Sequence, residues 1–416
     1  MSRVARGWTQ RCVACGTAYE SDVRSYECGK CGNLLELVRE GKVSRSDLFG
    51  DKSQPGIWKF RHALPLPGDA SVVSLSEGYT PLVHVARIGA KLGLSKLHVK
   101  NEGQNPTGSF KDRGMTVAVS RAVASGAKLL VCASTGNTAA SMAAYAARAG
   151  VTAMVTVPAG KVASGKMVQA TAYGATIVRV DGTFDDALSI LLQTISGLPG
   201  FSGMNSVNPY RLEGQKSAAF EIYEQLGFSV PDYIILPVGN AGNISAIWKG
   251  FKELRAFGIT QKVPRMVGVQ AEGASPIARA FWKGSDTIMP VESPDTIASA
   301  IRIGRPASGK KALAALRESN GMVLTVSDDE ITAARRLLSS KEGIFVEPAS
   351  ATPIAALREI GGRLERDAVV VCVATGNGLK DQESIKTDLD GTPLVSDRSG
   401  LTDLLERVAI RPLEPA

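Results

Sequence analysis

The chain has 416 residues, 44% hydrophobic and 21% charged, the make-up of a globular protein with about two to three sizeable cores. No apolar run reaches the ~20 residues of a transmembrane span, so a membrane-spanning role is excluded. The formal net charge of +8 suits an anionic partner, but no block of five basic residues occurs and basic residues interleave with acidic ones; a small anionic metabolite is therefore expected, and nucleic acid is not.

Met1–Gly7 carries positive charge with no apolar core behind it, which does not fit a secretory leader, and a cytoplasmic enzyme is expected. Only three histidines occur, His62, His84 and His98, and none sits in a metal-ligand or Ser/His/Asp-like context. Histidine-based hydrolysis is not expected. Cys12-Val13-Ala14-Cys15 and Cys28-Gly29-Lys30-Cys31 form two CxxC knuckles with twelve residues between them. Four thiolates at this spacing can close a tetrahedral zinc site, and Gly16, Gly29 and Gly32 permit the tight turns it needs. The segment between the knuckles sets Glu20, Asp22 and Glu27 against Arg24 alone, which favours a structural metal over nucleic-acid binding.

Residues 42–75, with Pro55, Pro65, Pro67 and Gly68, read as an irregular linker with scattered helix, anchored by Trp58 and Phe60. Ser76–Leu82 is a loop. Leu97–Lys100 is a strand, and a helix continues from Met115 to Gly126. Between them lies Asn105-Pro106-Thr107-Gly108-Ser109-Phe110-Lys111-Asp112-Arg113-Gly114. Ser109 is a candidate N-cap, with Asp112 three residues later in the first turn. Lys111 then stands at the positive end of a helix, which disfavours an ammonium and lowers its pKa. Such an amine beside an anion-binding helix start suits a Schiff base to a phosphorylated aldehyde, pyridoxal phosphate being the obvious one. The plain alternative is a surface lysine.

Strands follow at Lys128–Ala133, Val151–Pro158 and Ala175–Val180, with helices to Gly150, from about Ser164, and over Phe184–Ser196. This alternation predicts a parallel sheet with helices on both faces. The turn Ser134-Thr135-Gly136-Asn137-Thr138 presents hydroxyls and amides at a strand's carboxyl end, which suits a carboxylate or a simple helix cap. Asn205–Ser217 breaks the alternation and groups amide, hydroxyl, Arg and Lys side chains. Those groups suit a second phosphate, with Arg211, Asn205 and Ser206 as candidates, or an ion pair of Arg211 with Glu213 or Asp232. After the strand Tyr233–Val238, Gly239-Asn240-Ala241-Gly242-Asn243 opens a helix at Ile244, and its backbone amides can converge on one phosphate. Met266–Gln270 is another strand, Gly343–Ala351 introduces a helix, and Ala368–Val373 is a last core strand that ends in Ala374-Thr375-Gly376-Asn377-Gly378. Cys132 reads as a buried strand residue without nucleophilic duty.

The lysine segment, the Ser134–Thr138 turn, the Gly239–Asn243 loop and the terminal Ala374–Gly378 turn occur in the order found in the threonine synthases, within the fold-type II (tryptophan synthase β-like) pyridoxal-phosphate enzymes. The chain resembles that family over residues 76–380, and a similar ribbon precedes the catalytic part in many of its members. The resemblance implies an α/β fold of two open, twisted, mostly parallel sheets flanked by helices, behind a small zinc-ribbon module. It divides the chain into a ribbon (1–41), a large cofactor-binding domain (42–110 and 205–395), a small mobile domain (111–204) and a tail (396–416). It implies that Lys111 holds pyridoxal phosphate covalently and acts as the base. Asn137 would meet the cofactor's 3′-oxygen, Gly239, Asn240, Ala241, Gly242 and Asn243 its phosphate, and Thr375 its ring nitrogen. Ser134, Thr135 and Thr138 would hold substrate, with Asn205, Ser206 and Arg211 at the substrate's own phosphate; Cys12, Cys15, Cys28 and Cys31 would bind structural zinc. The implied reaction converts O-phosphohomoserine and water into threonine and phosphate by γ-elimination and β-addition of water, in a homodimer. The Pro290–Pro306 loop looks like a family loop, without a role that the residues themselves suggest. The competing readings are a related lyase, such as a cysteate synthase using phosphoserine and sulfite or a threonine or serine ammonia-lyase, and a zinc-ribbon nucleic-acid-binding protein.

Overall fold

The computed structural model describes residues 7–20, 26–51, 53–68, 70–159, 164–182, 184–195, 198, 200–384 and 393–409. Asp22 and Arg24 of the ribbon, the charged residues before Gly7 and the helix end expected at Ser196 lie outside them. Among the described residues no helix is long and apolar enough to cross a membrane.

The N-terminal module is a three-stranded antiparallel sheet of β1 (Trp8–Cys12), β2 (Ala18–Glu20) and β3 (Leu35–Arg39), in the order β2-β1-β3. Trp8, Gln10 and Cys12 alternate inward along β1 while Arg11 is exposed, the period of a half-buried strand. Each knuckle closes a tight turn, with Gly16 N donating to Cys12 O at 3.1 Å and Gly32 N to Cys28 O at 2.8 Å. Gly16 and Gly32 take left-handed φ values of +71° and +69°. Gly29 does not, so its expected conformational role falls to the other two.

The main body is a six-stranded sheet built from β4 (Leu82–His84), β5 (Lys96–Asn101), β10 (Tyr233–Pro237), β11 (Arg265–Ala271), β12 (Met322–Val326) and β13 (Val369–Ala374). The order is β12-β11-β10-β13-β5-β4, parallel except for the antiparallel edge strand β4. Its central strands are apolar throughout because both faces are covered. Ile234, Leu236, Val371 and Val373 enter one core, and Tyr233, Ile235, Val370 and Cys372 the other.

A second, wholly parallel sheet contains β6 (Leu129–Ala133), β7 (Thr152–Pro158), β8 (Thr176–Val180) and β9 (Phe201–Gly203), in the order β8-β7-β6-β9. The two mostly parallel sheets with flanking helices match the expected class. Strands β4 and β9, of three residues each, are too short to stand out by pattern, whereas β12 is an apolar, β-rich run that the strand pattern passed over. Between β5 and β6 runs the lysine helix, Lys111–Ala124, and after β9 comes a short helix, Pro209–Gln215, that carries Arg211. These two helices touch backbone to backbone. A Cβ on Gly114 would lie 2.6 Å from Arg211 O, and one on Gly214 would run into Arg113 O, so glycine at both positions is what lets Lys111 and Arg211 approach.

Candidate active site

All of the singled-out residues other than the ribbon cysteines line one cavity of about 1610 Å³, at the carboxyl ends of strands from both sheets. Lys111 opens its helix, but Ser109 does not cap it: Phe110 holds the N-cap position, and Ser109 Oγ is buried without a partner. Asp112 ties the loop down instead. Its carboxylate accepts from Thr107 N at 2.7 Å, Thr107 Oγ1 at 2.6 Å and Ser141 Oγ at 2.6 Å.

Lys111 Nζ has no hydrogen-bond partner among the described residues and lies 4.2 Å from the centroid of the Phe110 ring. Burial, then the Arg211 guanidinium, push its pKa down to about 7, against an opposing pull from Glu347. Burial and the Arg211 charge act on the amine in the same direction as the helix start at which Lys111 stands. Arg211 is itself 1% exposed and forms no ion pair with Glu213 or Asp232. Its Nη1 donates to Met204 O at 3.0 Å, and its Nε is an orphaned buried donor. Glu213 is instead taken by Lys216 and Lys249. A buried guanidinium without a carboxylate calls for an anionic ligand.

The Gly239–Asn243 loop leads into the helix Gly242–Ala256. Ala241 has φ +66°, a rare conformation for a residue with a side chain. The loop is pinned by the neighbouring backbone, with Ser308 N donating to Asn240 O at 3.1 Å and Ala307 N to Asn240 Oδ1 at 3.3 Å. A Cβ on Gly239 would sit 2.9 Å from Ile301 Cα, so the 290–306 loop packs on this turn and borders the cavity. Inside, Asn243 Nδ2 and Gln215 Oε1 have no partners. Two orphaned buried donors, Asn243 Nδ2 and Arg211 Nε, together with the start of a long helix, fit a cofactor phosphate and a second anion.

On the opposite wall, Asn137 Nδ2 donates to both oxygens of Glu347, at 3.2 and 3.1 Å. Burial raises the pKa of Glu347, and the Asn137 amide opposes the rise. Thr375 Oγ1 lies 2.9 Å from Ser350 Oγ, which accepts from Gly376 N at 2.8 Å. Asn205 spends both ends of its amide on the backbone of Ala133, at 3.0 and 2.8 Å, and so extends the end of β6. Ser134 Oγ accepts from Gly136 N at 3.2 Å. Thr135, Thr138 and Ser206 make no side-chain hydrogen bonds among the described residues and line the cavity. Burial pushes the Cys132 thiol up to about 12, in keeping with an inert strand residue.

Sequence reasoning passed over Glu347, Ser350 and the group that seats the lysine helix. Arg113 Nε meets Glu102 Oε2 at 2.6 Å, its Nη1 meets Glu221 Oε1 at 2.6 Å, and Lys100 Nζ meets Glu221 Oε2 at 2.8 Å, all buried. Acidic residues inside apolar or β-rich runs, such as Glu347 after Ile344-Phe345-Val346, are the one local signal that could have marked them. In the ribbon, the Sγ atoms of Cys12, Cys15, Cys28 and Cys31 all lie within 4.8 Å of one another, far outside disulfide bonding. Ala14 N and Cys15 N point at Cys12 Sγ, at 3.4 and 3.5 Å.

Residues 73–376 match the family described as pyridoxal-phosphate dependent enzyme. The threonine synthase of Methanocaldococcus jannaschii is 50% identical over 382 residues, covering 90% of this chain and 93% of that protein. That of Methanosarcina acetivorans is 48% identical over 390 residues, covering 93% and 95%. Among solved structures, the T.th. threonine deaminase is 30% identical, with a TM-score of 0.60, covering 72% of this chain and 92% of that one. With an unpaired amine, an anion cradle and an unpaired guanidinium converging on one cavity, the chain belongs to the pyridoxal-phosphate-dependent enzyme family, in its threonine synthase branch.

Proposed function

We propose that this protein converts O-phosphohomoserine and water into threonine and phosphate. The observation that carries the substrate choice is Arg211: a buried guanidinium with no carboxylate, in the same cavity as Lys111. An ammonia-lyase acting on free threonine or serine presents no phosphate for it. Bound pyridoxal phosphate supplies an electron sink for carbanion chemistry. Lys111 Nζ, about half of it free of its proton at neutral pH, would hold the cofactor and serve as the base that takes protons from Cα and Cβ of the substrate and returns them to Cγ, once phosphate has left, and to Cα. The Gly239–Asn243 amides and Asn243 Nδ2 hold the cofactor phosphate, and Asn137 presents its amide to the 3′-oxygen. Thr375 faces the ring nitrogen as a neutral group and leaves it unprotonated. Ser134, Thr135 and Thr138 receive the substrate carboxylate. Arg211 and Ser206 grip the phosphate that departs from Cγ, while Asn205 stiffens the strand end behind them.

The ribbon cysteines hold one structural zinc; four thiolates at mutual distances near those of a tetrahedral zinc site support this. Residues 111–204 form a small domain that closes over the large one (42–110 and 205–395) and excludes bulk water until β-addition. The enzyme is a cytoplasmic homodimer that binds no nucleic acid. The decisive experiment compares O-phosphohomoserine, phosphoserine with sulfite, and free threonine as substrates. Stoichiometric phosphate and threonine from the first alone is the expected result; turnover by Lys111→Ala, or preference for another substrate, refutes the assignment.

A further inference from the structure

The ribbon is joined to the catalytic body. Trp8 and Leu37 pack with Tyr210, the Trp8 ring lies 4.9 Å from Lys216 Nζ, and Lys249 donates to Leu37 O. One further contact reaches toward the cavity. Tyr26, two residues before the second knuckle, donates its hydroxyl to Gly203 O at 2.9 Å. The Tyr26 hydroxyl oxygen accepts from Asn208 Nδ2 at 3.2 Å, and Asn208 Nδ2 also donates to Gly203 O at 2.9 Å.

This triangle closes on the two supports of Arg211. Asn208 is the N-cap of the Arg211 helix, its Oδ1 accepting from Tyr210 N at 3.0 Å. Gly203 immediately precedes Met204, whose carbonyl receives Arg211 Nη1. With no carboxylate to hold it, the guanidinium takes its direction from that carbonyl and from its own helix. The helix has only seven residues, so its position depends on its cap and its neighbours more than on its own ladder.

We infer that the ribbon is a positioning element of the active site, with Tyr26, through Gly203 and Asn208, holding Arg211 in the direction that receives a phosphate monoester. This rests on the reading of Arg211 as the group that binds the substrate's phosphate. A ribbon that only stabilised the fold would change the unfolding temperature when weakened and leave the anion affinity of the folded enzyme untouched.

The test uses Tyr26→Phe, which keeps the ring and removes the hydroxyl, and Arg211→Lys, which keeps the charge and removes the fork. Holoenzyme is titrated calorimetrically with inorganic phosphate, and KM and kcat are measured for O-phosphohomoserine. Tyr26→Phe is expected to raise the phosphate Kd and the KM about 3- to 10-fold, with kcat within about twofold, the scale of one lost hydrogen bond. In the Arg211→Lys background the same change adds nothing, because the two residues act on one contact. Phosphate affinity within about twofold of the parent in Tyr26→Phe, with Arg211→Lys clearly weakened, overturns the inference, as do losses that multiply in the double variant. If Arg211→Lys itself binds phosphate as the parent does, the substrate reading is wrong and the inference falls with it.

Discussion

The Lys111 amine offers a prediction with a magnitude. An ordinary lysine with pKa 10.5 is neutral in about three molecules per ten thousand at pH 7, whereas one with a pKa of about 7 is neutral in about half, a gain of roughly a thousandfold in reactive amine. Capture of pyridoxal phosphate by the cofactor-free protein requires the neutral form. Followed by absorbance between about pH 5.5 and pH 9.5, the initial capture rate should climb with pH and level off above about pH 7. Two variants should move the curve in opposite directions. Arg211→Gln removes a positive charge that holds the pKa down, so levelling shifts to higher pH. Glu347→Gln removes a negative charge that holds it up, so levelling shifts to lower pH. A rate that keeps rising tenfold per unit through pH 9 would mean an unperturbed amine and refute the reasoning. A shift in the same direction for both variants would refute the assignment of the two charges.

Other outcomes follow from the packing. Arg113→Leu leaves Glu102 buried without its cation and should cost about 3–5 kcal/mol in urea unfolding; a loss below about 1 kcal/mol would mean that water replaces the guanidinium. Gly214→Ala pushes the Arg211 helix against the Arg113 carbonyl and should cost about 1–3 kcal/mol and weaken phosphate binding, where Gly126→Ala, next to open space, should leave phosphate binding unchanged. Elemental analysis of protein never exposed to chelator should find about one zinc per chain, lost in Cys28→Ser; a metal-free, fully folded parent protein would sink the zinc assignment.

The parts of the site readable from sequence were those that sit where a strand ends and a helix begins. Ser134–Thr138, Gly239–Asn243 and Thr375 follow apolar β-rich runs, and a parallel sheet delivers all such turns to one edge. What local pattern could not supply is the set of partners that tune those residues. Asn137 and Glu347 are 210 residues apart, Arg113 and Glu221 108 apart, Tyr26 and Asn208 182 apart, and no periodicity links such positions. The misplaced cap shows the same division. Ser109 satisfies the rule for an N-cap by type, but the loop turns so that Asp112 binds Thr107 and Ser141, and the serine hydroxyl is left over. The Lys111 pKa follows suit: its place at a helix start is local, while most of its depression comes from burial and from Arg211, a hundred residues on, brought close because Gly114 and Gly214 let two helix backbones touch. The share of the amine's reactivity that Arg211 supplies therefore depends on the contact between two helices, and a substitution that separates them by one methyl group should affect the amine and the guanidinium together.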